Sequence, residues 1–144
     1  MSKSATFADD LLALIFNATP IANIADDASS SPLASLYIAL HTADPGEGGT
    51  MATSECAYTG YARMAVDRSS DEWLVENGRA TPVNNIVFPA VTGGNEIARY
   101  FSVGVGATAG GADKILYSGA LENEIAISSG VIPQLTTATS ISED

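Results

Sequence analysis

The chain has 144 residues, the size of one ordinary domain, and 46% of them are hydrophobic, which excludes a wholly disordered protein. Six lysines and arginines against 17 aspartates and glutamates give a formal net charge of −11. That balance excludes nucleic acid and an anionic membrane surface as partners, because both are bound through basic side chains. Only 16% of the residues are charged, which favours strands joined by turns or a surface partly covered by a partner.

The single cysteine, Cys56, excludes an internal disulfide and a cysteine-based zinc site. Residues 1–8 lack the basic stretch and the following apolar run of a secretory signal. We therefore expect the chain to be made in the cytoplasm and to stay there unless an assembly carries it out.

Residues 4–17 (SATFADDLLALIFN) predict a helix that Ser4 begins and Asn17 ends. Asp9 and Asp10 are expected near the positive end of the helix dipole. The apolar residues follow the spacing i, i+4, i+7 and i+8, which predicts one apolar face. This predicted face consists of Phe7, Leu11, Leu14 and Ile15, and Leu12 widens it.

The helix is followed by a stretch of small and polar residues, 19–32 (TPIANIADDASSSP), which indicates a linker or an arm laid along another surface. The sequence thus predicts two parts. Residues 1–33 would form an N-terminal helix and extended arm, and residues 34–144 would form a β-sandwich body.

Beyond the arm, the chain consists of short segments with the period-two pattern of strands, separated by turn signals such as Asn77-Gly78. Their number, about seven to nine, and the absence of intervening helical patterns favour an antiparallel sheet over a parallel α/β sheet. We predict a mainly β fold, an antiparallel β-sandwich or jelly-roll-like barrel with one N-terminal helix. The segments are 35–43, 58–67, 72–77, 80–91, 97–107, 114–121, 124–130 and 131–142.

The glycines between Gly104 and Gly111 invite comparison with a phosphate-binding loop. A dinucleotide or Walker loop opens a helix, whereas the segment starting at Lys114 has the pattern of a strand. Gly111 is also followed by Ala112 rather than by Lys and Ser or Thr. We therefore interpret these glycines as a strand end and a loop.

His41 and Cys56 could form a nucleophile pair, but the sequence signals no orienting group or oxyanion donors beside them. Acidic pairs such as Asp44 and Glu47 lack the spacing of a calcium loop and are interpreted as solvated surface. We therefore predict no enzyme, no cofactor and no metal site.

Five aromatic residues are most simply explained as core or sheet-face side chains. A sugar-binding platform would use the same residue types, and this alternative stays open. The five are Tyr58, Tyr61, Trp73, Tyr100 and Phe101.

The stretches LYIALHTADPGEGGT (36–50), SECAYTGYARMAVDRS (54–69) and NNIVFPAVTGG (84–94) resemble a family of virion proteins of tailed bacteriophages. YFSVGVG, ILYSGAL and the ending SGVIPQLTTATSISED are similar to the same family, so that the resemblance covers residues 36–144. Members are tail-fibre-like or head decoration proteins. The resemblance implies a structural role without catalytic residues, in a chain made in the host cytoplasm.

From these observations we predict a capsid decoration (cement) protein that binds the major capsid protein on the outer capsid surface and stabilises the particle. A homotrimer is the first expectation, because icosahedral shells offer three-fold positions. The alternative is a tail-fibre or receptor-binding module that contacts host surface sugars. Phe7, Leu11, Leu14 and Ile15 are expected to dock the arm to the shell or to a sister subunit, unless the helix packs on its own body.

Overall fold

The computed structural model describes residues 3–21, 25 and 32–143, which form one helix and nine strands. The predicted linker 19–32 lies largely outside the described residues. The helix is α1 (Ala5–Phe16). The strands are β1 (Ser35–His41), β2 (Met64–Asp67), β3 (Trp73–Glu76), β4 (Arg79–Pro82), β5 (Ile86–Val87), β6 (Glu96–Gly104), β7 (Ile115–Ile127), β8 (Gln134–Leu135) and β9 (Ile141–Ser142).

The strands form a four-stranded sheet in the order β2-β1-β6-β7, a three-stranded sheet in the order β3-β4-β9, and a pair of β5 with β8. β6 runs antiparallel to β1 and β7, and β4 runs antiparallel to β3 and β9. The predicted fold class, mainly β with antiparallel sheets and an N-terminal helix, is confirmed.

The chain divides into two compact units. The first, which we call the helix unit, consists of Met1–Ser35, Asp67–Asn85 and Leu135–Asp144. The second, the sheet unit, consists of Leu36–Val66 and Ile86–Gln134. The division into an arm at 1–33 and a body at 34–144 stays a prediction, and α1 is grouped with later parts of the chain in the helix unit.

The ends of α1 are those that the sequence predicts. The Ser4 Oγ accepts a hydrogen bond of 3.3 Å from the Phe7 backbone N–H, and the Asn17 N–H donates to the Ala13 carbonyl oxygen at 2.9 Å. The expected position of Asp9 at the helix dipole is wrong, because α1 begins at Ala5 and its first turn holds no acidic residue. The Asp9 carboxylate accepts a hydrogen bond from the Gly78 N–H instead.

The core of the helix unit lies between α1 and the sheet β3-β4-β9. Ala8, Leu12 and Phe16 are buried at the spacing i, i+4 and i+8, so they define the inward face of the helix. The ring of Phe16 meets the ring of Trp73 edge to face, with 4.6 Å between their centroids. The inward face therefore shares only Leu12 with the predicted apolar face, whose other residues lie beside it.

The predicted hairpin turn joins β3 to β4. Asn77 and Gly78 both have positive φ angles, 53° and 71°, which is the geometry of a type I′ turn. Glu76 consequently pairs with Arg79 at the end of the ladder. The predicted turn is therefore confirmed. Asn and Gly tolerate the left-handed backbone conformation that a two-residue turn needs in order to match the right-handed twist of the strands.

The sheet unit has its core on both faces of β1 and β6. One face carries large apolar side chains, including Ile38, Leu40 and Val103, and all three are almost completely buried. Register pairs Ala39 with Ser102, and these two small residues occupy the other face and are also buried. A strand covered on both sides loses the simple alternation of apolar and polar residues.

Three strand predictions need correction. The segment 58–67 becomes a strand only at Met64, because residues before it form a loop around Arg63. The segment 80–91 is interrupted after Pro82. The segments 114–121 and 124–130 join in one strand, β7, whose residues 121–124 bulge opposite Arg99.

Candidate functional site

The most elaborate side-chain arrangement in the sheet unit is centred on Arg63, whose side chain is completely buried. Its Nε donates to Glu55 Oε1 at 2.7 Å and its Nη2 to Glu55 Oε2 at 3.0 Å. Its Nη1 donates to Asp113 Oδ2 at 2.9 Å. The paired carboxylates hold the pKa of the Arg63 guanidinium above its usual value, chiefly through the hydrogen bonds that Glu55 accepts from it. Two-point pairing of this kind fixes both distance and orientation.

Arg63 also holds the glycine-rich loop, residues 105–113. Its Nη1 donates to the Gly106 carbonyl oxygen at 3.0 Å, and its Nη2 donates to the Gly111 carbonyl oxygen at 2.6 Å. Glu55 Oε2 accepts a further hydrogen bond from the Gly110 N–H at 3.0 Å. Residues 107–110 at the tip of the loop are exposed. The buried side chains of Arg63 and Glu55 therefore hold the loop in place, while its tip stays exposed.

Close packing explains two of the glycines. A Cβ at Gly104 would lie 2.3 Å from the Met51 sulfur, and a Cβ at Gly106 would lie 1.9 Å from Asp113 Oδ2. Both distances are far inside van der Waals contact, so a side chain at either position would displace a neighbour. The glycines make room for Met51 and for the carboxylate that Arg63 binds, and the loop leads into β7, a strand.

His41 occupies a completely buried position near the end of β1. Its Nδ1 lies 2.8 Å from the Thr53 carbonyl oxygen, and its Nε2 lies 2.8 Å from Ser102 Oγ. Since a carbonyl only accepts, Nδ1 carries the proton and Nε2 accepts from the serine hydroxyl. Burial lowers the pKa of His41, so the ring is neutral near pH 7. A serine beside a histidine is the geometry of an activated nucleophile, but neither residue exposes any surface to a substrate.

Cys56 is 2% exposed, and burial raises the pKa of its thiol to about 12. The thiol is therefore protonated and a poor nucleophile near pH 7. Both ring nitrogens of His41 are already engaged with Thr53 and Ser102, so the ring has no nitrogen left for the thiol. The hypothetical pair of His41 and Cys56 is not formed.

The aromatic residues that could have formed a sugar platform lie mostly in the core. Trp73, Tyr58 and Phe101 are 1%, 4% and 7% exposed. Tyr61 is half-buried; its hydroxyl donates to Glu55 Oε1 at 2.9 Å and accepts from the Leu40 N–H at 3.1 Å. The pKa of Tyr61 is raised, chiefly by burial. Tyr58, Tyr61, Trp73 and Phe101 therefore serve packing, as the simpler of the two interpretations expects, whereas Tyr100 on β6 is only partly buried.

The four predicted docking residues lie on α1 beside its inward face. Phe7 is 38% exposed, and Leu11, Leu14 and Ile15 are half-buried. The Arg68 guanidinium donates to the carbonyl oxygens of Leu14 and Ile15 at 2.6 and 2.7 Å, which satisfies the last turn of the helix. The backbone of this stripe is therefore held within the helix unit while part of its apolar surface faces outward.

Within residues 3–21, 25 and 32–143, no group of three or more histidine, cysteine, aspartate or glutamate side chains is placed to hold a metal ion. Over the same residues, no helix is both long and apolar enough to cross a membrane. Asp44, which the sequence analysis interprets as solvated surface, is exposed and accepts a hydrogen bond of 2.9 Å from the Gly46 N–H.

Sequence reasoning missed Arg63, Ser102 and Asp113. Arg63 is separated from Glu55 by eight positions and from Asp113 by 50, so no helical or strand period connects them. One signal was available, since a single arginine in a largely uncharged stretch, 56–66, is a candidate for a buried ion pair.

A search of curated proteins finds no match. A protein-family model described as Podophage GP4 fiber I protein gp80 matches residues 4–141, a range that includes residues of both compact units and the N-terminal helix. The chain belongs to this family and is a structural protein of the bacteriophage virion.

Proposed function

We propose that this chain is a subunit of a podophage fibre and acts as a structural and connecting element within it. The observation that carries the proposal is the family match, whose description names a fiber protein and whose extent, residues 4–141, leaves almost none of the chain aside. Such a role requires a stable fold and surfaces that contact neighbouring subunits. It does not require an active site.

The network around Arg63 supports this role. A fully buried arginine that binds two carboxylates and two carbonyl oxygens fixes the loop that it holds. Buried pairs of this kind cost desolvation energy, so they give conformational specificity rather than large net stability. An ordered loop on a stable β body suits a protein that works by contact.

Receptor binding through a tryptophan or tyrosine platform is less well supported, because Trp73, Tyr58 and Phe101 are buried. We therefore place the emphasis on the structural part of a fibre rather than on sugar contact by these rings. The expected partners are other virion proteins.

The test is the copy number and position of this chain in purified virions. Quantitative mass spectrometry against the major capsid protein, together with labelling by a specific antibody in the electron microscope, measures both. A fibre subunit is expected in far fewer copies than the capsid protein, with label at the tail. Copies that approach the number of capsid subunits, with label over the head, would overturn the proposal in favour of the decoration protein on the outer capsid surface.

The exposed stripe of α1 supplies a candidate contact for assembly. We propose that Phe7 and Leu11 dock this helix against a neighbouring virion subunit, with Leu14 and Ile15 at the edge of the contact. Phe7→Ser combined with Leu11→Ser should reduce incorporation into virions while leaving the fold intact, as measured by mass spectrometry and circular dichroism. Incorporation equal to that of the unaltered chain would contradict it. Removal of residues 1–33 is a poorer test, because it also removes Phe16 from Trp73.

The homotrimer is likewise a proposal. Light scattering on the purified chain measures its mass directly, and a trimer would give three times the mass of 14.8 kDa.

A further inference from the structure

The turn between β3 and β4 contains a chemically labile pair of residues. Asn77-Gly78 is the one place in the 144 residues where an asparagine precedes a glycine. The side-chain amide of asparagine is thermolabile, and it is lost fastest before glycine, because no side chain hinders the backbone nitrogen that follows. Asn77 is exposed, so water and hydroxide reach it. Sequence and exposure together make Asn77 a candidate site of deamidation.

Deamidation begins at the backbone nitrogen of Gly78. After hydroxide removes its proton, this nitrogen attacks Cγ of Asn77 and the new N–Cγ bond closes a cyclic imide. The Cγ–Nδ2 bond breaks, and the side-chain nitrogen takes up a proton from water and leaves as ammonia. Water then opens the imide at either carbonyl carbon, which gives aspartate or isoaspartate. The rate therefore depends on two conditions: loss of the Gly78 proton, and approach of the Gly78 nitrogen to Cγ.

A contact with α1 opposes the first condition. The Gly78 N–H donates to the carboxylate of Asp9 on this helix. A hydrogen bond to a carboxylate is charge-assisted and holds the proton, and the negative charge beside the nitrogen disfavours the anion that would attack. The Gly78 carbonyl oxygen accepts in turn from the Glu143 N–H at 3.0 Å. Both backbone polar groups of Gly78 are thus held by other parts of the helix unit.

The geometry of the turn opposes the second condition. In a type I′ turn both central residues adopt the left-handed conformation, and the φ angle of Asn77 is 53°. This conformation places the Gly78 nitrogen and the Asn77 Cβ on opposite sides of the bond between Cα and the carbonyl carbon. Closure of the imide requires them on the same side. The backbone would have to rotate there, and the pairing of Glu76 with Arg79 at the end of the ladder resists that rotation.

We propose that Asn77 is a latent deamidation site, which α1 protects through the hydrogen bond from Gly78 to Asp9. Reaction requires local opening of the turn, and release of α1 from the sheet β3-β4-β9 is the opening that frees the Gly78 N–H. The product reinforces this opening. A carboxylate at position 77 adds negative charge beside the residue that Asp9 binds, and isoaspartate lengthens the main chain of a two-residue turn by one methylene. The proposal rests on contacts within the helix unit and not on the fibre assignment.

The test is the rate at which Asn77 becomes an acid in the purified chain at mildly alkaline pH, measured by mass spectrometry of its peptides. The folded chain should convert Asn77 at least about tenfold more slowly than the same chain unfolded in urea. Asp9→Ala should raise the rate in the folded chain about tenfold, the factor expected from loss of a hydrogen bond to a charged group. Asp10→Ala is the matched control, because it removes the same charge from the next, exposed position on α1 and should leave the rate unchanged.

Hydrogen exchange at the Gly78 amide, followed by NMR, is a second measurement, because exchange begins with the same loss of a proton. It should be faster in Asp9→Ala than in Asp10→Ala. Circular dichroism and the fluorescence of Trp73 show whether each variant folds. If Asp9→Ala does not fold, Asp9→Asn replaces it; this variant keeps an acceptor oxygen, removes the charge and should also react faster than the unaltered chain.

Conversion of Asn77 in the folded chain as fast as in urea would overturn the proposed protection. Equal rates of conversion and of exchange in Asp9→Ala and Asp10→Ala would show that Asp9 does not provide it. If Asn77 reacts no faster in urea than Asn95 and Asn123, which are both followed by glutamate, it is not a labile site. Each of these outcomes is independent of the copy number that tests the fibre assignment.

Discussion

The two compact units are stabilised in different ways. The helix unit buries one face of α1, with Phe16 edge to face against Trp73. The sheet unit buries a charged group, Arg63, and satisfies it with two carboxylates and two carbonyl oxygens. An apolar core tolerates many arrangements of similar volume, whereas a buried charge requires each of its partners in place.

In the sheet unit, Arg63 holds the loop 105–113 by donating to the carbonyl oxygens of Gly106 and Gly111. The helix unit keeps an apolar stripe partly exposed beside the inward face of α1.

The largest effect is expected from Arg63→Ala. Removal of the guanidinium leaves Glu55 buried without its partner, which should cost about 3–5 kcal/mol in the free energy of unfolding. Urea unfolding followed by circular dichroism measures the loss. Arg99→Ala removes an exposed ion pair with Glu124 and should change the free energy by less than about 1 kcal/mol. Equal effects of the two substitutions would contradict the special role of the buried pair.

In the helix unit, Phe16→Ala should cost about 3–4 kcal/mol, because it leaves a cavity against Trp73. Trp73 is the chain's only tryptophan, so its fluorescence reports on this unit. Phe7→Ala is the control on the same helix and should change the free energy by less than about 1 kcal/mol, since Phe7 is 38% exposed. A large loss from Phe7→Ala would mean that the predicted apolar face contributes to the fold after all.

Gly106→Ala should destabilise the sheet unit by about 1–3 kcal/mol, because its Cβ would lie against the Asp113 carboxylate and disturb the hold of Arg63 on the loop. Gly48→Ala meets nothing within 4 Å and should be close to neutral. Thermal unfolding compares the two variants. A neutral Gly106→Ala would show that Asp113 can move aside without loss.

The smallest effect is expected from pH. Since burial lowers the pKa of His41 below 6.5, the unfolded chain takes up a proton at this residue before the folded chain does. The stability that neutral His41 contributes is therefore complete above pH 6.5 and is lost as the pH falls from there through the lowered pKa. His41→Gln should show a shallower fall in the free energy of unfolding between pH 7 and pH 5. If the free energy of unfolding falls equally with pH in the variant and in the unaltered chain, carboxylates alone account for the loss of stability in acid.

The local features of this protein could be predicted from the sequence. The helix begins after Ser4, whose side chain accepts a hydrogen bond from a free backbone N–H of the first turn, and it ends at Asn17, whose backbone N–H donates to a carbonyl oxygen of the last turn. Asn77 and Gly78 form the hairpin turn because both residues tolerate a positive φ angle. Each depends on neighbours within a few positions. The family resemblance, too, came from stretches read along the chain.

Three features could not be predicted from the sequence: the face of α1 that turns inward, the continuity of β7 through a bulge, and the ion pair of Arg63 with Asp113, 50 positions away. The pattern of apolar residues along a helix does not predict which of two adjacent faces packs against a distant side chain such as Trp73. A buried arginine is stable only where distant carboxylates and carbonyls converge, and that convergence is a property of the folded chain rather than of any periodic pattern.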